Sequence, residues 1–224
     1  MPLSLSRLQI LTHIGALFPL GWLAWDYFQG NFSVNPIQDI TLRTGKAALV
    51  LLVLSLACTP VNTLFGWRQA ISVRRALGLY AAFYASIHFL IFIGLDYGFD
   101  WGLMRLEVVE KPYVWVGASA LAVLLLLAIT STRGWKVRLR KNWKRLHRLA
   151  YLAAVLVIVH YAWVKKGNIL ALQGDILQPM AFGFLVGLLL LVRTPPVKKL
   201  VIEVRDRFRQ RRIQRRIQRR NLEV

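Results

Sequence analysis

Three features of the sequence predict one fold class, an all-α bundle of six membrane-spanning helices with both termini in the cytoplasm. The 224 residues are 56% hydrophobic, with a mean hydropathy of +0.47, yet carry a formal net charge of +20. A water-soluble domain of this size does not combine such apolarity with such basicity. The apolar residues gather into six runs, each near the roughly 20 residues that cross a hydrocarbon core. The basic residues fall overwhelmingly on one side of those runs.

In chain order, the first span is read at residues 8–28, with Pro19 as a kink that neighbouring helices accommodate. It has no small-residue cleavage site and further spans follow it, so it is expected to be retained. The second span covers 46–65, entered by a snorkelling Lys46 and loosened at its far end by Pro60. The third covers 76–95, the fourth 113–132, the fifth 146–164 and the sixth 176–192. Trp25, Trp101, Trp115 and Trp163 fall at one set of ends, and Trp67, Trp135 and Trp143 at the other. Two such belts mark the two membrane interfaces.

Orientation follows from charge. With the N-terminus inside, the inner segments hold 24 of the 30 basic residues and 3 of the 10 acids. The outer segments hold 6 basic and 7 acidic residues. That bias lies in short loops beside the spans, where basic residues govern insertion. The chain therefore divides into a six-helix membrane domain, 1–192, and a basic cytoplasmic tail, 193–224. The tail reads as a solvated, partly disordered end or as a polybasic segment held on anionic membrane lipid. Nucleic acid is not an expected partner, because the tail lacks aromatic interleaving and any recognisable module. The single Cys58 excludes an internal disulfide and any all-cysteine metal site.

The chemistry lies in the histidines. His147 and His160 bracket the fifth span, thirteen residues apart, so about 20 Å separates them along a helix axis. His88 lies thirteen residues beyond Arg75, where the third span starts. His88 and His160 therefore share one depth toward the outer face, on spans running in the same direction. An isolated polar side chain at that depth costs about 2.5 kcal/mol or more. Two imidazoles there suit a metal, first of all haem iron clamped between spans three and five; the alternative for the fifth span is a histidine at a helix end and one satisfied by a backbone carbonyl. Each ligating ring needs a partner for its other nitrogen; Tyr84, Ser86 or a backbone carbonyl could serve His88. His147 lies at the inner face, where the alternatives are a second haem with His13, a flavin or quinone contact, or a helix cap.

The segments LRTGKAAL, LACTP, RRALGLYAAFYASIHFL, AITSTRG, KNWKRLHRLAYL and VHYAW resemble the MsrQ family, within the ferric-reductase-like transmembrane superfamily. The resemblance runs from the first span to the sixth and is absent from the basic tail. It implies that His88, His147 and His160 are haem-associated, and that the cofactors are haem b and FMN, with no segment that locates the flavin. Arg75 stands where NADPH oxidases of the superfamily carry a second histidine, a departure from their two-haem arrangement. The resemblance further implies a bacterial inner-membrane subunit taking electrons from the quinone pool or a cytosolic flavin reductase. Those electrons would go to a periplasmic molybdopterin partner, MsrP, that reduces methionine sulfoxide in oxidised envelope proteins. Nothing in the chain resembles a sulfoxide-reducing site of its own. The alternative is a stand-alone haem reductase acting on ferric iron or quinone. A transporter is disfavoured, since no Asp or Glu falls in mid-span.

Overall fold

The computed structural model describes residues 6–165 and 176–222, and every regular element among them is helical. In order these are α1 (Arg7–Gln29), α2 (Pro36–Phe65), α3 (Gln69–Ile91), α4 (Trp101–Glu110), α5 (Pro112–Ile129), α6 (Arg133–Leu146), α7 (Leu149–Val164), α8 (Leu177–Leu191) and α9 (Pro195–Leu222). A π-helical turn, Phe92–Asp96, prolongs α3. Four helices are long and apolar enough to cross a membrane, and two bent pairs, α6–α7 and α8–α9, bring the number of spans to as many as six. The outer connection between α7 and α8, with Lys166 and Asp175, lies outside the described residues.

Local chemistry sets the helix ends. Ser6 and Gln9 form a reciprocal capping box at the start of α1, and Gly30 closes it in the left-handed conformation. Asn35 accepts from the Gln38 amide to start α2, with Pro36 in the first turn, where its missing N–H is harmless. Gly66, at φ 71°, ends α2 and lets the chain turn back directly into α3.

Helix α2 is the centre of the bundle, with 50% of its most apolar window buried against 6% for α1. Ala81 and Ala153, both fully enclosed, and Ala82 and Ala154 beside them sit in the common core of α3 and α7. Small side chains allow close helix approach where lipid removes the hydrophobic drive for association. Helix α1 leans on α3 through two tyrosines. Buried Tyr84 donates to the Ala16 carbonyl at 2.8 Å and accepts from the Leu20 amide at 3.2 Å. Those two groups are the i→i+4 pair next to Pro19, whose own missing N–H removes the neighbouring rung to the Gly15 carbonyl. Where α1 passes into α2, Arg43 of α2 bridges Asp26 of α1 and Asp39 of α2.

The structure alters four expectations about local shape. The fifth span is not one straight helix from 146: α6 ends at Leu146, His147 and Arg148 form a joint, and α7 departs at 51°. The basic inner loop is helical over 133–146, interrupted by a kink at Arg140 (φ 47°), because its apolar and basic residues alternate with helical period along RGWKVRLRKNWKRL. Half of those fourteen residues are basic, so α6 cannot enter hydrocarbon and the chain must bend to reach it. The outer loop after Asp96 contains α4. The tail is helical as α9, which leaves α8 at 77° through Pro195 and Pro196. Of the expected aromatic belts, Trp25, Trp101, Trp115, Trp163, Trp67 and Trp135 are exposed. Trp143 instead turns inward and donates to the Thr130 carbonyl at 2.9 Å.

Candidate functional site

Two histidines, on α3 and α7, meet in the half of the bundle away from the Gly66 turn. His88, one turn before the π-helical turn, sits on α3 and faces α2. Its Nδ1–H donates to the Thr41 carbonyl at 2.9 Å. His160 on α7 faces α5, and its Nδ1–H donates to the Tyr113 carbonyl at 2.8 Å. A carbonyl oxygen only accepts, so both rings are fixed as the Nδ1–H tautomer and each Nε2 keeps its lone pair. That is the form in which imidazole binds a metal, its second nitrogen already satisfied. Neither Tyr84 nor Ser86 serves His88, since their hydroxyls donate to the Ala16 and Ala82 carbonyls.

Glycine makes room for each ring. A Cβ on Gly45 would lie 3.1 Å from the Cε1 and Nδ1 of His88, and one on Gly117 would lie 2.8 Å from those of His160. Each glycine stands one turn after the carbonyl that anchors the ring. The imidazole therefore packs flat on bare backbone and shares an oxygen that already accepts the glycine amide. The ring centroids lie 6.1 Å apart with the planes at 85°.

Both histidines line one cavity of about 440 Å³ between α2, α3, α5 and α7. Its walls repeat with a displacement of 72 residues (Thr41 to Tyr113, His88 to His160). Residues 41, 42, 45, 46, 49 and 52 of α2 correspond in this way to 113, 114, 117, 118, 121 and 124 of α5. Residues 85, 88, 89 and 92 of the α3 side correspond to 157, 160, 161 and 164 of α7. The span from supporting carbonyl to histidine is 47 residues in both halves. Asn35, Gln38, Asp96, Tyr97 and Lys111 form a polar rim outside this repeat.

His147 is not brought to this cavity. It caps α6 in the joint, its ring stacked on Trp143 at 4.1 Å and its Nε2 3.4 Å from the Thr130 hydroxyl. His13 is engaged elsewhere, its Nδ1 2.9 Å from the Tyr80 hydroxyl. Arg75, which corresponds to His147 in the 72-residue repeat, is exposed. The third alternative for His88, a backbone carbonyl, is the one found, although sequence reasoning could not say which; it missed Gly45 and Gly117 altogether, because neither carries reactive chemistry. The repeated spacing of glycine and histidine was the signal that could have found them.

The geometry defines a class: a helical membrane protein with an apolar chamber closed by two opposed, tautomer-fixed imidazoles. Residues 44–158 match the family model described as ferric reductase like transmembrane component. The chain is 41% identical to the protein-methionine-sulfoxide reductase heme-binding subunit MsrQ of Rhodospirillum rubrum over 189 residues, covering 84% of this chain and 88% of that one. It is 44% identical to the MsrQ of Herminiimonas arsenicoxydans over 193 residues, 86% of each. For the MsrQ of Deinococcus radiodurans the identity is 45% over 159 residues, 69% of this chain and 77% of that one. The chain belongs to the MsrQ family of ferric-reductase-like membrane proteins.

Proposed function

We propose that this chain is a membrane electron carrier that holds one b-type haem between His88 and His160. In that role it is the haem-binding subunit of a methionine-sulfoxide reductase system. The observation that supports this reading is the pair of Nδ1-anchored imidazoles lining one cavity. Among the described residues no three His, Cys, Asp or Glu side chains converge on a metal position. Two nitrogen donors alone suit a metal whose other ligands come from a macrocycle. His88 and His160 would be the residues that hold the iron, each through the Nε2 that its carbonyl-bound Nδ1–H leaves free.

A bis-imidazole haem supplies a one-electron couple closed to oxygen as a ligand. The protein's part is to hold its two donors rigid, so that little rearranges as charge arrives, and to exclude water. The Thr41 and Tyr113 carbonyls fix the rings, while Leu49, Leu52, Leu121 and Leu124 give the chamber apolar walls.

The wider scheme rests on family membership and charge. The protein lies in the bacterial inner membrane with both termini cytoplasmic. Electrons enter from quinol or a cytosolic flavin reductase near His147, with FMN as a further cofactor on that route. They leave outward to a periplasmic molybdopterin-containing catalytic subunit of the MsrP type. Reporter fusions after Arg75 and Arg140 report cytoplasm and fusions near Asp39 and Asp100 the periplasm; a periplasmic Arg140 overturns the orientation.

The test of the site is the visible spectrum of the purified protein, oxidised and reduced. It shows a low-spin b-type haem that His88→Ala or His160→Ala removes or leaves five-coordinate. An unchanged low-spin spectrum in either variant sinks the assignment. The ferric-reductase-like match also admits a stand-alone ferric or quinone reductase. Co-purification of a periplasmic molybdoenzyme separates the two.

A further inference from the structure

The ten matched positions of the cavity wall carry a single charge. Lys46 stands on α2 directly after Gly45, the residue against the His88 ring, and its counterpart 72 residues on is Ala118. The residue is exposed overall and also lines the chamber, at the mouth where the wall meets the polar rim. It has no ion-pair partner among the described residues, although Asp96 lies on the same rim. An ammonium group inside a span is costly unless it reaches water or an anion. The walls of this chamber otherwise offer it leucine, alanine and aromatic surface.

Haem b brings the missing anion, since its edge carries two carboxylates. Resting on the haem reading above, we propose that Lys46 is a positioning residue that binds one haem carboxylate and sets which way round the macrocycle sits. Near-symmetric walls do not distinguish one edge of the ring from another. One cation on one wall does, and it places the carboxylate edge toward the polar outer rim, where the second carboxylate reaches Asn35, Gln38 or water. The cation also biases the redox couple. Adding an electron makes the bound group more negative, so a fixed positive charge beside it favours the reduced state and raises the midpoint potential.

The experiment reconstitutes haem-depleted protein with iron protoporphyrin or with its dimethyl ester, whose carboxylates carry no charge. The proteins compared are the wild type, Lys46→Met, Lys46→Arg and Lys111→Met. The wild type binds the free acid about 10- to 100-fold more tightly than the ester, the range of a charge-assisted hydrogen bond. Lys46→Met erases that preference and lowers the midpoint potential, whereas Lys46→Arg and Lys111→Met retain it. Arginine rescue shows that the methionine variant has not simply misfolded. A Lys46→Met protein with the wild-type preference overturns the proposal, as does loss of the preference in Lys111→Met alone. Wild-type protein that takes up neither compound is a different result, and it overturns the haem site itself.

Discussion

The two halves of the cavity wall agree at one end and part at the other. From Thr41 to His88 and from Tyr113 to His160 the chain spends the same 47 residues. At the outer end both halves place a carbonyl, a glycine and a histidine in the same relation. At the inner end the first half makes a tight turn at Gly66 and runs on as the unbroken helix α3. The second half inserts α6, whose basic residues keep it out of hydrocarbon, and then bends at His147. Equal length with unequal shape teaches that the outer geometry is what the two halves hold in common. The inner end is where they differ in chemistry, with Trp143 and His147 on one side and exposed Arg75 on the other.

The sharpest probe of the shared end is the glycine under each ring. Gly117→Ala puts a methyl 2.8 Å from ring atoms of His160, closer than real Cβ contacts come, so the ring or the helix beneath it must shift. Gly45→Ala meets His88 at 3.1 Å, a crowding that a few tenths of an ångström relieves. Overpacking costs about 1–3 kcal/mol, or about 5- to 150-fold in haem retention. Gly117→Ala is expected at the high end and Gly45→Ala at the low end, measured as haem stoichiometry after purification. Equal losses would break the assignment of different slack to the two halves.

A smaller effect is expected where the halves differ. His147→Ala removes the ring stacked on Trp143 but touches neither His88 nor His160. The low-spin haem spectrum of the outer site stays, and reduction from a cytoplasmic donor slows several-fold in stopped-flow traces. Loss of the spectrum, as expected for His160→Ala, would make His147 part of the outer site and remove the distinction.

Particular residues show how far the sequence could be read. The common depth of His88 and His160 follows from counting residues along two apolar runs, and the structure puts their rings 6.1 Å apart. Counting works because a helix in hydrocarbon has little choice but to run straight across. It fails at His147, where an unbroken apolar run after Arg148 hides a joint imposed by the basic helix before it. It also cannot say which carbonyls hold the histidine rings, though a carbonyl was among the partners expected for His88. Backbone carbonyls are anonymous in a sequence, and a glycine inside a span signals close approach without saying to what. Only the repeat of Gly45 and His88 as Gly117 and His160 makes those positions legible, and each half taken alone does not reveal it.

The last and smallest effect concerns the charge that sets the inner ends apart. Lys141 and Lys144 are exposed on α6, while Lys136 and Arg138 lie over the rings of Trp143 and Trp135, each at 5.4 Å. The first two therefore present charge to solvent beside the His147 joint. An anionic flavin or an acidic flavoprotein approaching this face gains from long-range attraction, which raises the rate of encounter rather than the strength of the final contact. Screening acts over about 10 Å at 0.1 M salt, so the reduction rate of the wild type falls as ionic strength rises through that range. Lys141→Glu with Lys144→Glu slows reduction about 3- to 10-fold at low salt and flattens the salt dependence. The two proteins converge at high salt, and the haem spectrum is the same in both. The turn of the first half, with exposed Arg68, serves as the control: Arg68→Glu leaves the rate nearly unchanged if entry is through the second half. A rate indifferent to salt and to all of these reversals means that the basic inner face serves membrane orientation alone.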